Sequence, residues 1–246
     1  MKPVDSHCHL HAEELGQFRD RVKKGDVEEL EFVVDAGLDS DTNRQVLERA
    51  NKSSQVVAAV GLHPTQTESF DAVEEVARQI ENENPAAVGE IGMDFHHVTD
   101  EEMRLRQREV FKRLLEVAER EDLPVVCHTR NAEDEVLEVL DGFEIEAYLH
   151  CFNGRPELAQ EAVDRGYMIG VGPQLEWSSR VREVARAVPA DNLLLETDSP
   201  YIGDSPIDVL SVCSLLRDIE NGSTEGAAAL PERVAENASD FFGRGL

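Results

Sequence analysis

Eight short apolar runs alternate with longer amphipathic stretches, and that alternation constrains the fold more than any other feature of the chain. The runs are PVDSHC (3–8), ELEFVVDA (29–36), QVVAAVG (55–61), AAVGEIG (86–92), LPVVCH (123–128), EAYLHC (146–151), YMIGVG (167–172) and NLLLETD (192–198). They are nearly continuous in apolar residues, as in strands covered on both faces. Between several of them the spacing turns helical. Residues 70–82 place Val73, Val76, Ala77 and Ile80 on one stripe, and 101–121 does the same with Leu105, Val110, Leu114 and Val117 behind Asp100. Further helices are predicted over 132–142, 156–166, 205–219 and 231–243, several with proline at the start or glycine at the end. Strands alternating with helices imply a parallel sheet with right-handed crossovers. Eight such units in 246 residues match an α/β fold of the (β/α)8 TIM-barrel type, expected as one domain over residues 1–246. An open doubly wound sheet is the alternative, but no GxGxxG follows the first run.

The charge balance is extreme: 51 acids face 24 bases, a formal charge of −27, and only five of the bases are lysine. A disordered acidic chain would not carry 41% hydrophobic residues in regular periods. The composition instead suits a folded protein in concentrated salt, where the Debye length of about 3 Å at 1 M screens self-repulsion. A halophilic host is the expectation. No basic patch is available to track an extended polyanion, so nucleic-acid contact should be local and metal-centred. The N-terminus lacks an apolar signal region, and no apolar run reaches the roughly 18 residues of a membrane span. A soluble, cytoplasmic protein without membrane partners is therefore expected.

The polar residues fall in one place. Asp5, His7 and His9 alternate with smaller residues in the first run, so an extended strand would aim all three one way. Glu90 ends the fourth run, His128 the fifth, His150 the sixth and Asp198 the eighth, while His63 follows the third. In a barrel those C-terminal strand ends converge on one face. Imidazoles and carboxylates together suit Zn, Mn or other first-row ions. The set His7, His9, Glu90, His128, His150 and Asp198 exceeds what one tetrahedral ion needs. Two ions about 3.5–4 Å apart would use all six, with Glu90 as the bridge. Asp5 and Glu196, two residues below presumptive ligands, are expected in a supporting hydrogen-bond network.

Cys8, Cys127 and Cys151 sit beside histidines, but strand neighbours face opposite ways. Buried thiols turned away from the site are expected, less securely for Cys151 at a strand end.

In order along the chain, DSHCHL, GLHP, GEIGMDF, HTRNA, HCFNG and ETDSPY resemble the TatD-type DNases of the amidohydrolase superfamily. PERVAENASDFFG is similar to that family's closing helix. The resemblance implies a β/α barrel and phosphodiester hydrolysis dependent on two divalent ions (Mg, Mn or Zn), typically 3′–5′ exonuclease action on single-stranded DNA. By motif it implies that His7 and His9 form the first metal pair, Glu90 bridges, and His128 and His150 hold the second metal. It makes Asp198 a metal-binding acid that handles the water's proton, and places His63 and Arg130 near substrate phosphate. His96 lies on the loop after the fourth strand, where it either touches substrate or is solvated. Trp177, the only tryptophan, either stacks on a base or covers the barrel rim.

After Tyr201 the chain departs from the family pattern. Members carry a basic stretch there, whereas no Lys or Arg occurs between Tyr201 and Arg217. A hydrolase of a small ester, amide or aminoacyl-nucleotide on the same metal centre is the alternative reading.

Overall fold

A computed structural model describes residues 1–67, 69–220 and 230–244. Eight strands appear where the apolar runs predict them: β1 (Asp5–Cys8), β2 (Val33–Ala36), β3 (Val56–Val60), β4 (Ala87–Gly92), β5 (Val125–His128), β6 (Ala147–Leu149), β7 (Met168–Val171) and β8 (Leu193–Leu195). Neighbours pair in parallel in the order β1 through β8. The circle closes through a bridge from Cys8 to Ser199, with His9 N donating to Ser199 O at 2.8 Å. This is a TIM barrel.

The helices are α1 (Gly16–Lys24), α2 (Ser40–Lys52), α3 (Phe70–Glu83), α4 (Glu101–Arg120), α5 (Glu133–Leu140), α6 (Pro156–Asp164), α7 (Ser179–Ala187), α8 (Val209–Glu220) and α9 (Leu230–Phe241). Local chemistry sets their ends. Asp100 Oδ1 accepts Met103 N at 3.0 Å as the N-cap of α4, and Asp39 with Thr42 forms a reciprocal capping box on α2. Gly25, at φ +67°, ends α1 in the left-handed region. Helices α1, α2 and α7 were not predicted. Each is short of apolar residues, burying little more than Phe18 and Val22, Val46, or Val181 and Val184, so no full stripe marks them in the sequence.

Two apolar layers hold the barrel. The larger lies between sheet and helices and takes Val33, Val60, Val88, Ile91, Val125, Leu149, Ile169 and Leu195 from the strands. The smaller fills the interior with Val34, Ala36, Val57, Val126, Tyr148 and Leu194, where α9 adds Ala235, Ala238, Phe241 and the following Phe242. The Phe241 and Phe242 rings meet Tyr148 edge-on at 6.0 and 6.4 Å. The closing helix thus plugs one end of the barrel, leaving the strand C-termini to carry polar groups.

Two register shifts re-aim those polar groups. On β4, Val88 pairs with Val125 and Ile91 with Cys127, so three steps on one strand oppose two on the next. This bulge keeps Val88 and Ile91 on the helix-facing side while Glu90 turns inward. On β1, Asp5 and Cys8 pair with Val33 and Asp35 across a similar slip. Strict alternation therefore fails: Asp5 does not share a face with His7 and His9, contrary to the expectation from spacing.

Candidate active site

The side chains at the strand C-termini converge on Glu90. Its Oε2 lies 3.5 Å from His7 Nε2 and 3.6 Å from His9 Nε2. Its Oε1 lies 2.7 Å from His150 Nε2, in contact with His128 Nδ1, and 3.6 Å from His63 Nε2. Asp198 Oδ1 completes the first side, 3.3 Å from His9 and 3.8 Å from His7. One carboxylate thus presents one oxygen to each of two donor groups. His7, His9 and Asp198 form one compact set, and His7, Glu90 and His150, or His63, Glu90 and His128, form others, each with its ligand atoms within 4.8 Å of one another.

Burial sharpens the electrostatics. His7, His9, Glu90 and His150 are almost wholly excluded from solvent. Burial pushes the His7 imidazole down to about 4, with the positive charge of His150 adding to it. Burial also depresses His63 to about 4. His128 resists the same burial, because Glu90 and Asp94 favour its charged form and raise it to about 9. Burial opposes the ionised form of Glu90, yet His150, His63 and His128 hold its carboxyl well below the usual range. Imidazole nitrogens facing ionised carboxylates are the donor set of a divalent cation, which would take the place of the protons that Glu90 and Asp94 otherwise favour on His128. The facing Nε2 atoms of His7 and His9, 3.1 Å apart, fit this reading.

The supporting shell is built from groups behind these. His9 Nδ1 meets Ala36 O at 3.0 Å, which fixes its ring. Glu196 accepts from the Tyr148 hydroxyl and the Cys151 amide, and burial pushes its carboxyl up to about 7. Asp5 accepts from Thr197 N and Oγ1 and, at 3.4 Å, from the His7 backbone amide, so it braces the chain after β8 and the backbone of His7 without touching a histidine ring.

Sequence reasoning passed over Asp94. Its buried carboxylate lies 3.1 Å from His128 Nε2 and 2.8 Å from His97 Nδ1, and it accepts the His96 and His97 amides. It orients His128 so that Nδ1 faces Glu90. Its signal was its place in GMDF, four residues after Glu90. Cys8 and Cys127 are buried away from the site, as expected. Cys151 is not: its φ of +52° breaks the alternation, and its Sγ lies on the cleft wall 3.8 Å from Asp198 Oδ2.

An open cleft of about 920 Å³ lies over one side of this cluster. Its wall includes His96, His128, Arg130, His150, Trp177, Arg180, Asp198 and Tyr201. His96 and Arg130 border the cleft, whereas His63 lies within the Glu90 and His128 set.

A barrel with clustered histidines and carboxylates at its strand C-termini defines a metal-dependent hydrolase. The chain belongs to the family described as TatD related DNase, whose model matches residues 4–243. It is 30% identical over 212 residues to the "Uncharacterized metal-dependent hydrolase YabD" of Bacillus subtilis, covering 82% of each chain. It is 31% identical over 217 residues to the deoxyribonuclease TATDN3 of Homo sapiens, covering 81% of this chain and 78% of that one. Among solved structures, the TatD homologue YJJV of Escherichia coli superposes with a TM-score of 0.88 at 27% identity, over 98% of both chains. No helix among the described residues is long and apolar enough to cross a membrane.

Proposed function

We propose that this protein is a two-metal phosphodiesterase that removes nucleotides from the 3′ end of single-stranded DNA. The observation that supports it most is the two-sided environment of Glu90, with His7 and His9 at Oε2 and His128 and His150 at Oε1. In this reading His7, His9 and Asp198 would hold one divalent ion and His128 and His150 a second, with Glu90 shared between the two sets of donors. Such an ion pair lowers the pKa of a water and offsets charge on a phosphoryl group. Asp198, 13% exposed in its side chain at the edge of the cleft, accepts the proton of the attacking water. Its carboxyl stays ionised despite burial, chiefly because His9 hydrogen-bonds it. Arg130 offers a planar fork of donors to a phosphate oxygen, and His96 contacts the strand at the mouth. The acidic surface confines DNA to this local contact and suits a halophilic cytoplasm.

A second reading has one observation behind it. The segment after Tyr201 lines the cleft at Ile202 and offers acids, Asp204 and Asp208, where a polyanion would favour cations. A small ester or amide would not meet that repulsion, and an aminoacyl-nucleotide, with few phosphates, would meet less of it than a polynucleotide. The deciding experiment is hydrolysis of a 5′-labelled single-stranded oligonucleotide at molar salt, with Mg or Mn and with chelator as control. Stepwise shortening from the 3′ end that chelator abolishes is the expected result. A folded, metal-loaded protein that leaves the strand intact overturns the DNA reading and favours the small-substrate one.

A further inference from the structure

We propose that Trp177, on the segment joining β7 to α7, and Arg180, in the first turn of α7, form a second subsite that holds the nucleotide adjoining the scissile phosphate. The indole is the platform for its base and the guanidinium the partner of its phosphate. This rests on the single-stranded DNA reading above.

The first argument is space. The cleft, about 920 Å³, lies near the top of the range of roughly 300–1,000 Å³ typical of small-ligand sites. His128, His150 and Asp198 line only part of it. The rest of the wall includes Trp177, Ser178, Ser179 and Arg180, together with Glu133, Asn153 and Gln174, and the volume exceeds what one phosphoryl group at the histidines would fill.

The second is exposure. Trp177 is 59% exposed. A tryptophan that covered a barrel rim would bury its ring, so the rim-covering alternative loses. The segment beneath it is nonetheless pinned. Arg182 Nη1 donates to Leu175 O at 2.8 Å and to Glu176 O at 3.0 Å, and Ser178 N donates to Gln174 O at 2.8 Å. An open aromatic face on a fixed backbone costs little ordering when a ligand arrives.

The third is charge. Many arginines of this acidic chain hold carboxylates, as Arg21 holds Glu29, Arg108 holds Glu138 and Arg113 holds Glu74, and others, such as Arg19, Arg104 and Arg182, hold backbone carbonyls. Arg180 and Arg130 have no ion-pair partner among the described residues, although both line the cleft. Glu133 shares that wall and opposes phosphate there, but it lies beyond ion-pair distance of Arg180. An indole beside an unpaired guanidinium matches a ligand with flat bases along an anionic backbone. A neutral ester would use neither.

Trp177 is the only tryptophan, so indole fluorescence reports on this subsite alone. The test titrates the full, metal-loaded chain with a phosphorothioate hexathymidylate, and measures KM and kcat on the ordinary hexanucleotide. Saturable quenching is expected. Trp177→Ala should raise KM about tenfold with kcat little changed, and Trp177→Phe should recover most of the loss. Arg180→Ala should flatten the dependence of log KM on log salt by about 0.7, one phosphate contact on a single strand. Circular dichroism and metal content check that each variant is folded and loaded. Cleavage with a silent indole, an unchanged KM in Trp177→Ala, or a loss confined to kcat each overturns the subsite alone. Hydrolysis of methyl p-nitrophenyl phosphate by a wild-type protein that leaves the hexanucleotide intact overturns both the subsite and the DNA reading.

Discussion

Asp5 and Thr197 stand 192 residues apart in the chain and share two hydrogen bonds, from Thr197 N to Asp5 Oδ1 at 2.8 Å and from Thr197 Oγ1 to Asp5 Oδ2 at 2.7 Å. The pair joins the first strand to the segment just past the last, where the barrel circle closes. It also places Asp198, whose amide donates to His7 O at 2.9 Å. The first and last parts of the site are therefore held by one buried carboxylate.

Removing the hydroxyl in Thr197→Val leaves a buried oxygen of Asp5 without its donor. Such a loss costs about 1–3 kcal/mol. The denaturant midpoint should fall accordingly, and an unchanged midpoint would show that the pair contributes nothing to closure.

Glu90→Gln keeps the shape of the bridge and removes its charge. The expected metal content, read by mass spectrometry of the desalted protein, drops from two ions to one or none. Activity should fall with it by at least about 100-fold. Two retained ions would disprove the bridging role.

Asp198→Asn should lower kcat by roughly 10²–10⁴-fold, the usual contribution of a positioned base. The donors on the other side, His128 and His150, are untouched, so binding of at least one ion should survive. Near-normal kcat would move the proton-accepting role to another residue.

The net charge of −27 predicts that stability rises with salt. Surface repulsion acts over about 10 Å at 0.1 M and about 3 Å at 1 M. Thermal melting in potassium chloride should therefore shift upward across that range. A flat profile would refute the halophilic reading.

Phe241→Ala opens a void beneath Tyr148 in the barrel interior. Truncating a buried phenylalanine costs about 3–5 kcal/mol. Because Tyr148 in turn holds Glu196, the variant tests whether the closing helix supports the site. A loss below 1 kcal/mol by chemical denaturation would mean the interior collapses around the gap.

How much of this was legible in the chain differs from residue to residue. The eight strands are visible because a strand buried on both faces writes its apolar run locally, and His7, His9, His128 and His150 are visible because they end such runs. Helices α1, α2 and α7 are not, because a helix packed by two apolar side chains leaves no stripe to read. Cys151 faces the cleft because its backbone adopts a left-handed conformation, which alternation does not foresee.

The sequence by itself determined the barrel, its order and the donor types at the strand ends, since period and side-chain chemistry are local properties. Only the tertiary structure decided the aim of the donors. Glu90 turns inward because β4 slips a register against β5, where Gly92 at φ +141° approaches so closely that a Cβ would lie 2.1 Å from His128 O. Asp94 becomes the partner of His128 because β4 and β5 lie side by side, and Asp5 that of Thr197 because the first and last strands meet where the barrel closes. Register and contact are properties of two strands together, and neither strand carries them alone.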